Sequence, residues 1–479
     1  MITAERMAVV DRNAAALGVP QKQLMESSGN AVAAVVRDVA DPGSEVAVVA
    51  GRGNNGGDAF VAARFLKNYD VTVHLLGRPE TITTDIAREN WNALTEAEYE
   101  THAVGDSRDL AFDDPDVVVD AMLGTGITGS LREPEASAAR IVNETDATVV
   151  AVDVPSGVDA NTGDAAEGAV EADRVVTFHD MTPGLEQLDV DVTVADIGIP
   201  EAAELFVGPG DLTRLTRKSA SHKGDHGEVL VVGGGPYTGA PALAAQAALR
   251  AGADLVRVAC PHSVADEIQG YSENLILRPF SGDRFSADNV EYVLSLAADH
   301  DVVVLGPGLG DASETLTAVS DFLTEFEGRG VVDADALQIV PDVDTEADLV
   351  CTPHQGELRK MGGETADDWR ERMTLVADFA AELDQTLLVK GAYDIVSDGE
   401  TTRVGRTGNP GMTVGGTGDV LAGATGALAS TQSAVDAAAI GAYANGRAGD
   451  IVVDRQGYGL VATDLVDELP RALWGDDDE

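Results

Sequence analysis

Lysine is nearly missing from this sequence. Lys22, Lys67, Lys218, Lys223, Lys360 and Lys390 are the only six, and the rest of the basic side chains are arginine. Lysine and arginine together number 32 against 82 aspartates and glutamates, a formal net charge of −50. That balance repels nucleic acid and anionic membranes, so neither is expected as a partner. The acids are spread along the whole chain, which describes a solvated acidic surface and not an interaction arm. Such a surface suits a very salty cytosol, where counterions screen the self-repulsion. Cysteine is scarce as well. Cys260 and Cys351 lie far apart, which excludes a disulfide framework and a zinc site with close ligand spacing. No run of about 18 uncharged apolar residues occurs, so no membrane span is expected. The first residues, Met1 to Arg6, lack a basic stretch ahead of an apolar one, so no secretory signal is expected either. These absences together lead us to expect a soluble, cytoplasmic protein. At 479 residues the chain is too long for a typical single core, so two or more domains are expected.

What is present centres on Gly415-Gly416-Thr417-Gly418-Asp419, which runs into the apolar stretch Val420-Leu421-Ala422-Gly423. Backbone N–H groups at such a helix start are unpaired and carry the positive end of the helix dipole, so they suit an anion. Asp419 stands beside that anion hole. A carboxylate there can take a proton from a hydroxyl while the N–H groups hold charge developing on a phosphoryl group. It can equally be a helix cap, and an isolated motif of this kind does not choose between the two.

The first half alternates short apolar strands with helices. Thr3 is placed to cap a helix with Met7, Val10, Ala14 and Leu17 on one face, and a second helix is expected over about 21–39. Strands are expected at 45–50, 71–76, 117–122 and 148–152, with loop 51–58 and helix 59–68 after the first. The pattern predicts a Rossmann-like, doubly wound parallel sheet. In such sheets ligands collect at the carboxyl ends of strands, where three polar loops fall. Two of them spell G-x-G-x-x-G: Gly51, Gly53 and Gly56, then Gly124, Gly126 and Gly129. A dehydrogenase reading needs an acid at the end of the following strand. The first loop is followed there by Arg78, which suits a 2′-phosphate; the second has Glu144 and Asp146, but ahead of a strand. The loops are better read as pyrophosphate holders. Asn55, Asp120 and Ser156 place oxygen atoms near three strand ends, a mixed set that suits a hard cation, although each alone reads as a turn cap.

Asn54-Asn55-Gly56-Gly57-Asp58, the block Asp120…Gly124-Thr125-Gly126, Asp153-Val154-Pro155-Ser156-Gly157 and the later Asp196-Ile197-Gly198-Ile199-Pro200 resemble the epimerase domain of the NAD(P)H-hydrate repair enzymes. The resemblance implies a potassium ion on Asn55, Asp120 and Ser156. It implies substrate contacts from Asn54, Asn55, Gly56, Gly57 and Asp58, and from Gly124, Thr125, Gly126, Ile127, Thr128, Gly129 and Ser130. It makes Asp153 the acid/base and a further substrate contact. Ala59 stands where the family has glycine, and Thr182 where it has lysine, which puts a charge contact there in doubt.

The pattern loosens between about 201 and 223, and the joint is placed near residue 211, dividing the chain into 1–210 and 211–479. Beyond it a second set of βα units carries Gly306-Pro307-Gly308-Leu309-Gly310, Pro353-His354-Gln355-Gly356-Glu357, Lys390-Gly391 and the anion loop. His354 and Glu357 alone read as capping residues. Lys390, the last lysine in a chain that uses so few, directly follows an apolar strand and reads as a specific phosphate contact. With Tyr237-Thr238-Gly239-Ala240-Pro241, these motifs resemble the dehydratase domain of the same family, which has a ribokinase-like α/β fold. The resemblance implies hydrate contacts from Ala253, Gly308, His354 and Asp419, with Asp419 also the catalytic base. It implies nucleotide contacts from Lys390, Gly391, Ala392, Tyr393, Asp394 and Gly418, and ADP with magnesium. The expected activity is metabolite repair: interconversion of the R and S hydrates of NADH and NADPH, then ADP-dependent dehydration of the S epimer, releasing AMP and phosphate. A homo-oligomer is expected. The alternative is a kinase for a small alcohol such as a vitamin precursor, joined to a non-catalytic binding module.

Overall fold

The computed structural model describes residues 1–112, 114–126 and 129–475. The chain forms two compact units, Met1–Ala203 and Glu204–Glu479. The division falls ahead of the joint read from the sequence. Segment 204–211 belongs with the second unit because Val207 N–H bonds to the Val404 carbonyl and Asp211 takes a two-pronged pair from Arg403, at 2.9 and 3.0 Å. Both partners are buried, so each charge needs the other.

Among the described residues the first unit holds seven strands: β1 (Glu45–Ala50), β2 (Asp70–Leu76), β3 (Glu100–Val104), β4 (Val117–Ala121), β5 (Thr148–Val152), β6 (Arg174–Phe178) and β7 (Asp191–Ala195). They are all parallel, in the order β3-β2-β1-β4-β5-β6-β7. The apolar strand runs are explained by two-sided burial: Val46, Val48 and Ala50 enter one core, Ala47 and Val49 the other. Strand order reverses between β1 and β4, so the loops after these two strands flank the crevice of the sheet. They approach so closely that a Cβ on Gly51 would lie 1.9 Å from the Met122 carbonyl oxygen. Thr3 caps helix Ala4–Ala16 by accepting from Arg6 N–H at 3.2 Å, and helix Gln21–Val39 follows.

One expectation is corrected here. Residues 54–58 are not loop: helix Asn54–Phe65 begins at Asn54. Two glycines in its first turns are tolerated because larger residues do not fit. A Cβ on Gly56 would meet the Gly51 carbonyl at 2.1 Å, and one on Gly57 would meet Met25. Ala59 lies in the core without exposure.

The second unit holds β8 (Glu228–Val232), β9 (Leu255–Pro261), β10 (Ile276–Phe280), β11 (Val302–Leu305), β12 (Arg329–Val332), β13 (Asp348–Cys351), β14 (Thr386–Val389), β15 (Asp394–Ser397) and β16 (Thr402–Gly405). The order is β10-β9-β8-β11-β12-β13-β14-β15-β16, parallel through β14, with the last two strands an antiparallel hairpin. Again both faces are covered: Val229 and Val231 enter one core, Leu230 and Val232 the other. Order reverses between β8 and β11, so the loops holding Tyr237 and Gly308 meet there. Helix Gly239–Arg250 packs on helix Thr417–Ala429 almost backbone to backbone, since a Cβ on Gly423 would lie 1.9 Å from the Ala244 carbonyl oxygen. Alanine and glycine in both helices permit that approach. Among the described residues no helix is long and apolar enough to cross a membrane.

A net charge of −50 makes the folded chain self-repelling wherever counterions are dilute. The Debye length falls from about 10 Å at 0.1 M salt to about 3 Å at 1 M. Thermal melts from dilute buffer to molar potassium chloride should therefore show a rising midpoint. A midpoint indifferent to salt would refute the reading of this surface as an adaptation to high salt.

Candidate active sites

In the first unit a cavity of about 1070 Å³ opens at the switch between β1 and β4. Asp153 follows β5 directly and takes φ = +71°, a left-handed conformation a non-glycine residue adopts only when its surroundings hold it. Its N–H bonds to the Val176 carbonyl at 2.8 Å, and Thr125 N–H donates to its carboxylate at 3.1 Å. Burial pushes the Asp153 carboxyl above its ordinary range, and the bonds from Thr125 pull it partly back. Three further carboxylates line the same cavity, Asp58, Asp11 and Glu135. Asp58, from the Asn-Asn-Gly-Gly-Asp motif, is raised well above the ordinary range by burial, then by Asp153 and Asp11. Asp11, on helix Ala4–Ala16, is pushed up to about 6 by burial and by Asp153, with His179 opposing. Like charge on Asp153 raises both neighbours, so the three aspartates titrate as a coupled group.

Asn54, Asn55 and Asp58 line the cavity, as do Gly124, Thr125, Gly126, Gly129 and Ser130. Gly56 and Gly57 do not; they turn into the helix packing described above. Ile127 and Thr128 lie outside the described residues. Thr182 lines the cavity and is buried. Asp11 was missed from the sequence, where its helix reads only by its apolar face.

Behind Asp153 lie the three oxygen donors. Asp120 and Ser156 are fully buried. Ser156 donates to Asp120 through its hydroxyl at 2.6 Å and its N–H at 2.8 Å, and the Ser156 hydroxyl oxygen accepts from Leu123 N–H at 3.1 Å. Asn55 donates its amide to the Leu123 carbonyl at 2.9 Å, which leaves its Oδ1 buried without a hydrogen-bond partner. Burial pushes Asp120 up to about 6 against these donors. The orphaned Asn55 carbonyl oxygen and the Ser156 hydroxyl belong to side chains that both bond the Leu123 backbone, and Ser156 ties the buried Asp120 carboxylate to them. That set fits a hard monovalent cation.

In the second unit the site lies at the carboxyl ends of β12, β13 and β14. Asp333 follows β12, is buried, and accepts from the Thr352 hydroxyl at 2.7 Å and from Lys390 Nζ at 3.0 Å. Glu357 stands 3.8 Å from the same ammonium. Burial opposes the Lys390 charge, but Asp333, Glu357 and Asp419 hold it above the ordinary lysine range. His354 and Glu357 form a reciprocal cap of helix Gln355–Lys360. His354 Nδ1 accepts from Gly356 and Glu357 N–H, and Glu357 accepts from His354 N–H at 2.8 Å. In a neutral ring that pattern puts the proton on Nε2, which stands 3.7 Å from Glu357 Oε1.

Gly416 opens helix Thr417–Ala429 with φ = +95°, a turn that side-chain-bearing residues rarely adopt. Asp419 lies in its first turn. Burial and the nearby Asp333 push its carboxyl up to about 7, with Lys390 pulling it back. Gly418 lies beside Lys390, since a Cβ there would sit 3.3 Å from Nζ. Gly391 N–H donates to Asp394 at 2.8 Å, and burial pushes Asp394 up to about 7. Ala392 is exposed next to them, while Tyr393 stacks on Trp369 with centroids 5.0 Å apart. Gly308 supports the loop carrying Tyr237, where a Cβ would meet the Tyr237 carbonyl oxygen at 2.3 Å.

Ala253 is not part of this group. It is buried just ahead of β9, its N–H bonded to the Ala248 carbonyl, at the edge of the sheet where strands begin. Its sequence neighbours on helix Gly239–Arg250 pack near the site, but the helix carries Ala253 away to the far edge. Asp333 is the residue the sequence reading missed. It was visible only as the end of a strand, and its neighbours Thr352 and Lys390 are distant in the chain.

Two family models match: residues 21–184 match the YjeF-related protein N-terminus and residues 229–471 match NAD(P)H-hydrate dehydratase. A bifunctional NAD(P)H-hydrate repair enzyme of Methanothermobacter thermautotrophicus is 44% identical, over 98% of this chain and 94% of that protein. One from Archaeoglobus fulgidus is 42% identical over 98% of each. Among solved structures, a ribokinase-like superfamily protein from Enterococcus faecalis matches 56% of this chain and 95% of its own, with TM-score 0.50 and 21% identity, a likeness of fold. With both domain models matched in order and near-full-length relatives well above 30% identity, the chain belongs to the family of bifunctional NAD(P)H-hydrate repair enzymes.

Proposed function

We propose that the first unit interconverts the epimers of hydrated NADH and NADPH in the cytoplasm, and that the second dehydrates the S epimer with ADP. The observation that carries this is Asp419, raised to about 7 at the start of helix Thr417–Ala429 beside Lys390. A base poised near neutrality can take the hydroxyl proton as that oxygen attacks the terminal phosphorus of ADP. AMP departs, the new phosphate ester loses phosphate, and the neighbouring ring carbon gives up a proton to form the double bond. The helix N–H groups and Lys390 hold the phosphoryl charge. Among the described residues no three His, Cys, Asp or Glu side chains form a metal site. Magnesium therefore fits as a companion of the nucleotide phosphates, supplying charge neutralisation.

In the first unit, Asp153 moves the hydroxyl proton so that the carbon–nitrogen bond of the ring opens and re-closes on the other face, while Asp11 and Asp58 keep a proton in supply. Asn55, Asp120 and Ser156 would hold potassium, which would offset the charge of Asp120 and favour negative charge on the substrate. A kinase with an inert first domain is the weaker reading, because the near-full-length relatives are bifunctional repair enzymes.

Separating the two hydrate epimers chromatographically after incubation with ADP, ATP or neither tests the proposal. Epimer exchange without nucleotide and loss of the S form only with nucleotide are expected; a phosphorylated organic product that accumulates would overturn it. For the cation, Asp120→Ala removes the only formal charge among the three donors. Its lost epimerase activity should return in part with added potassium and not with tetramethylammonium at equal ionic strength. Equal rescue by both would mean general screening, leaving the three oxygens as turn caps.

A further inference from the structure

We propose that the second unit carries a phosphate-monoester site at the edge of its sheet away from Asp419. Helix Thr417–Ala429 starts beside Lys390 and ends at Ser430, whose hydroxyl donates to the His226 carbonyl at 3.3 Å, just ahead of β8. A cavity of about 660 Å³ lies there, lined by Arg214, Arg217, Lys218, His226 and Trp474. Three formal cations line this one cavity; Arg214 is paired with Asp436 and Arg217 with Asp254 at 3.8 Å, which leaves Lys218 as the cation without an ion pair among the described residues.

Helix capping accounts for only some of them. The carboxyl ends of helices attract cations, and two such ends meet here. Arg217 serves one by donating to the Gly252 carbonyl, and Arg329 serves the other through the Ala429 and Gln432 carbonyls. Lys218 is exposed and makes no ion pair among the described residues. Arg214 reaches Asp436 through Nη1 at 2.6 Å, yet its Nε is buried with no hydrogen-bond partner. His226 Nε2 is buried and unpartnered as well. Both nitrogens belong to residues that line the cavity, and each carries the desolvation cost of an unpaired donor.

The chemistry of the lining selects the ligand. A guanidinium edge, an ammonium and an imidazole nitrogen match an anion with several oxygens. Asp225 also lines the cavity, so the field is moderate and a single phosphate suits it better than a polyphosphate. Trp474 is 41% exposed and packs against Gly252, where a Cβ would come within 2.9 Å of the ring. It presents a flat apolar surface beside the cations. The cavity has room for a base and sugar as well as the phosphate, so a nucleoside monophosphate should bind more tightly than inorganic phosphate. This site is independent of the repair chemistry proposed above.

Equilibrium dialysis of the full chain at the lowest salt that keeps it folded tests this, with radiolabelled AMP and inorganic phosphate as probes. Wild type should show one more saturable class for AMP than Lys218→Gln does, or the same class weakened about tenfold. Trp474→Leu should weaken AMP but leave inorganic phosphate unchanged. Arg214→Gln should weaken both, and because Arg214 also holds Asp436, Lys218→Gln serves as the variant that leaves the packing alone. Isotherms for AMP that are identical in wild type, Lys218→Gln and Trp474→Leu would overturn the site. Equal loss of both probes in Trp474→Leu would overturn the preference for a nucleoside.

Discussion

Asp419→Asn should lower dehydration of the S hydrate by about 100-fold or more while leaving epimerisation untouched. The amide keeps the shape and the helix-start position but cannot take the hydroxyl proton. The same change should raise stability, which separates loss of a base from loss of fold. In the folded chain Asp419 is pushed from an ordinary 3.8 up to about 7. Between those values the folded state binds more protons than the unfolded one, so its stability falls as pH rises, and the loss is complete above about 7. Asparagine removes that loss. Because Asp419 is only partly buried, the gain at pH 8 is discounted to about 1 kcal/mol, or about 2–4 °C in melting temperature. It should vanish towards pH 4. Near-normal dehydration in this variant would leave Asp419 a helix cap, and a variant that melts lower at pH 8 would contradict the burial argument.

Asp153→Ala should abolish epimerisation, by about 1,000-fold or more, and leave ADP-dependent dehydration of the S epimer intact. Asp153 is fixed by backbone at both ends, through its own N–H to Val176 and through Thr125 N–H to its oxygen. Asp11 and Asp58 share its field but sit on helices, Ala4–Ala16 and Asn54–Phe65. Removing Asp153 lifts the repulsion on both, so they should ionise at lower pH in the variant, and carbon-13 titration of aspartate carboxyls would read that shift directly. Epimerase activity surviving in Asp153→Ala would move the proton transfer to Asp58 or Asp11.

The sequence by itself determined the two parallel sheets, since runs such as Val46–Ala50 and Val229–Val232 are apolar at every position, as strands covered on both faces must be. It also placed Asp153, Asp419 and Lys390 directly at strand ends or a helix start, because turn chemistry and charge are local. It could not place residues whose role depends on what stands opposite. Strands β3 and β7 escaped it because their exposed, mixed residues at the two sheet margins lack a clean pattern, and β6 because its buried run is only three residues long. Asp333 becomes a site residue only when β12 brings it to Thr352 and Lys390, and Asp11 only when helix Ala4–Ala16 turns it into the cavity of Asp153. Ala253 shows the converse: close in sequence to residues that pack near the site, it is carried by one helix to the other edge of the sheet. Desolvation decides the chemistry of Asp11, Asp153 and Asp419. A carboxylate titrates in its ordinary range in water, and only the folded chain removes that water and sets other charges beside it.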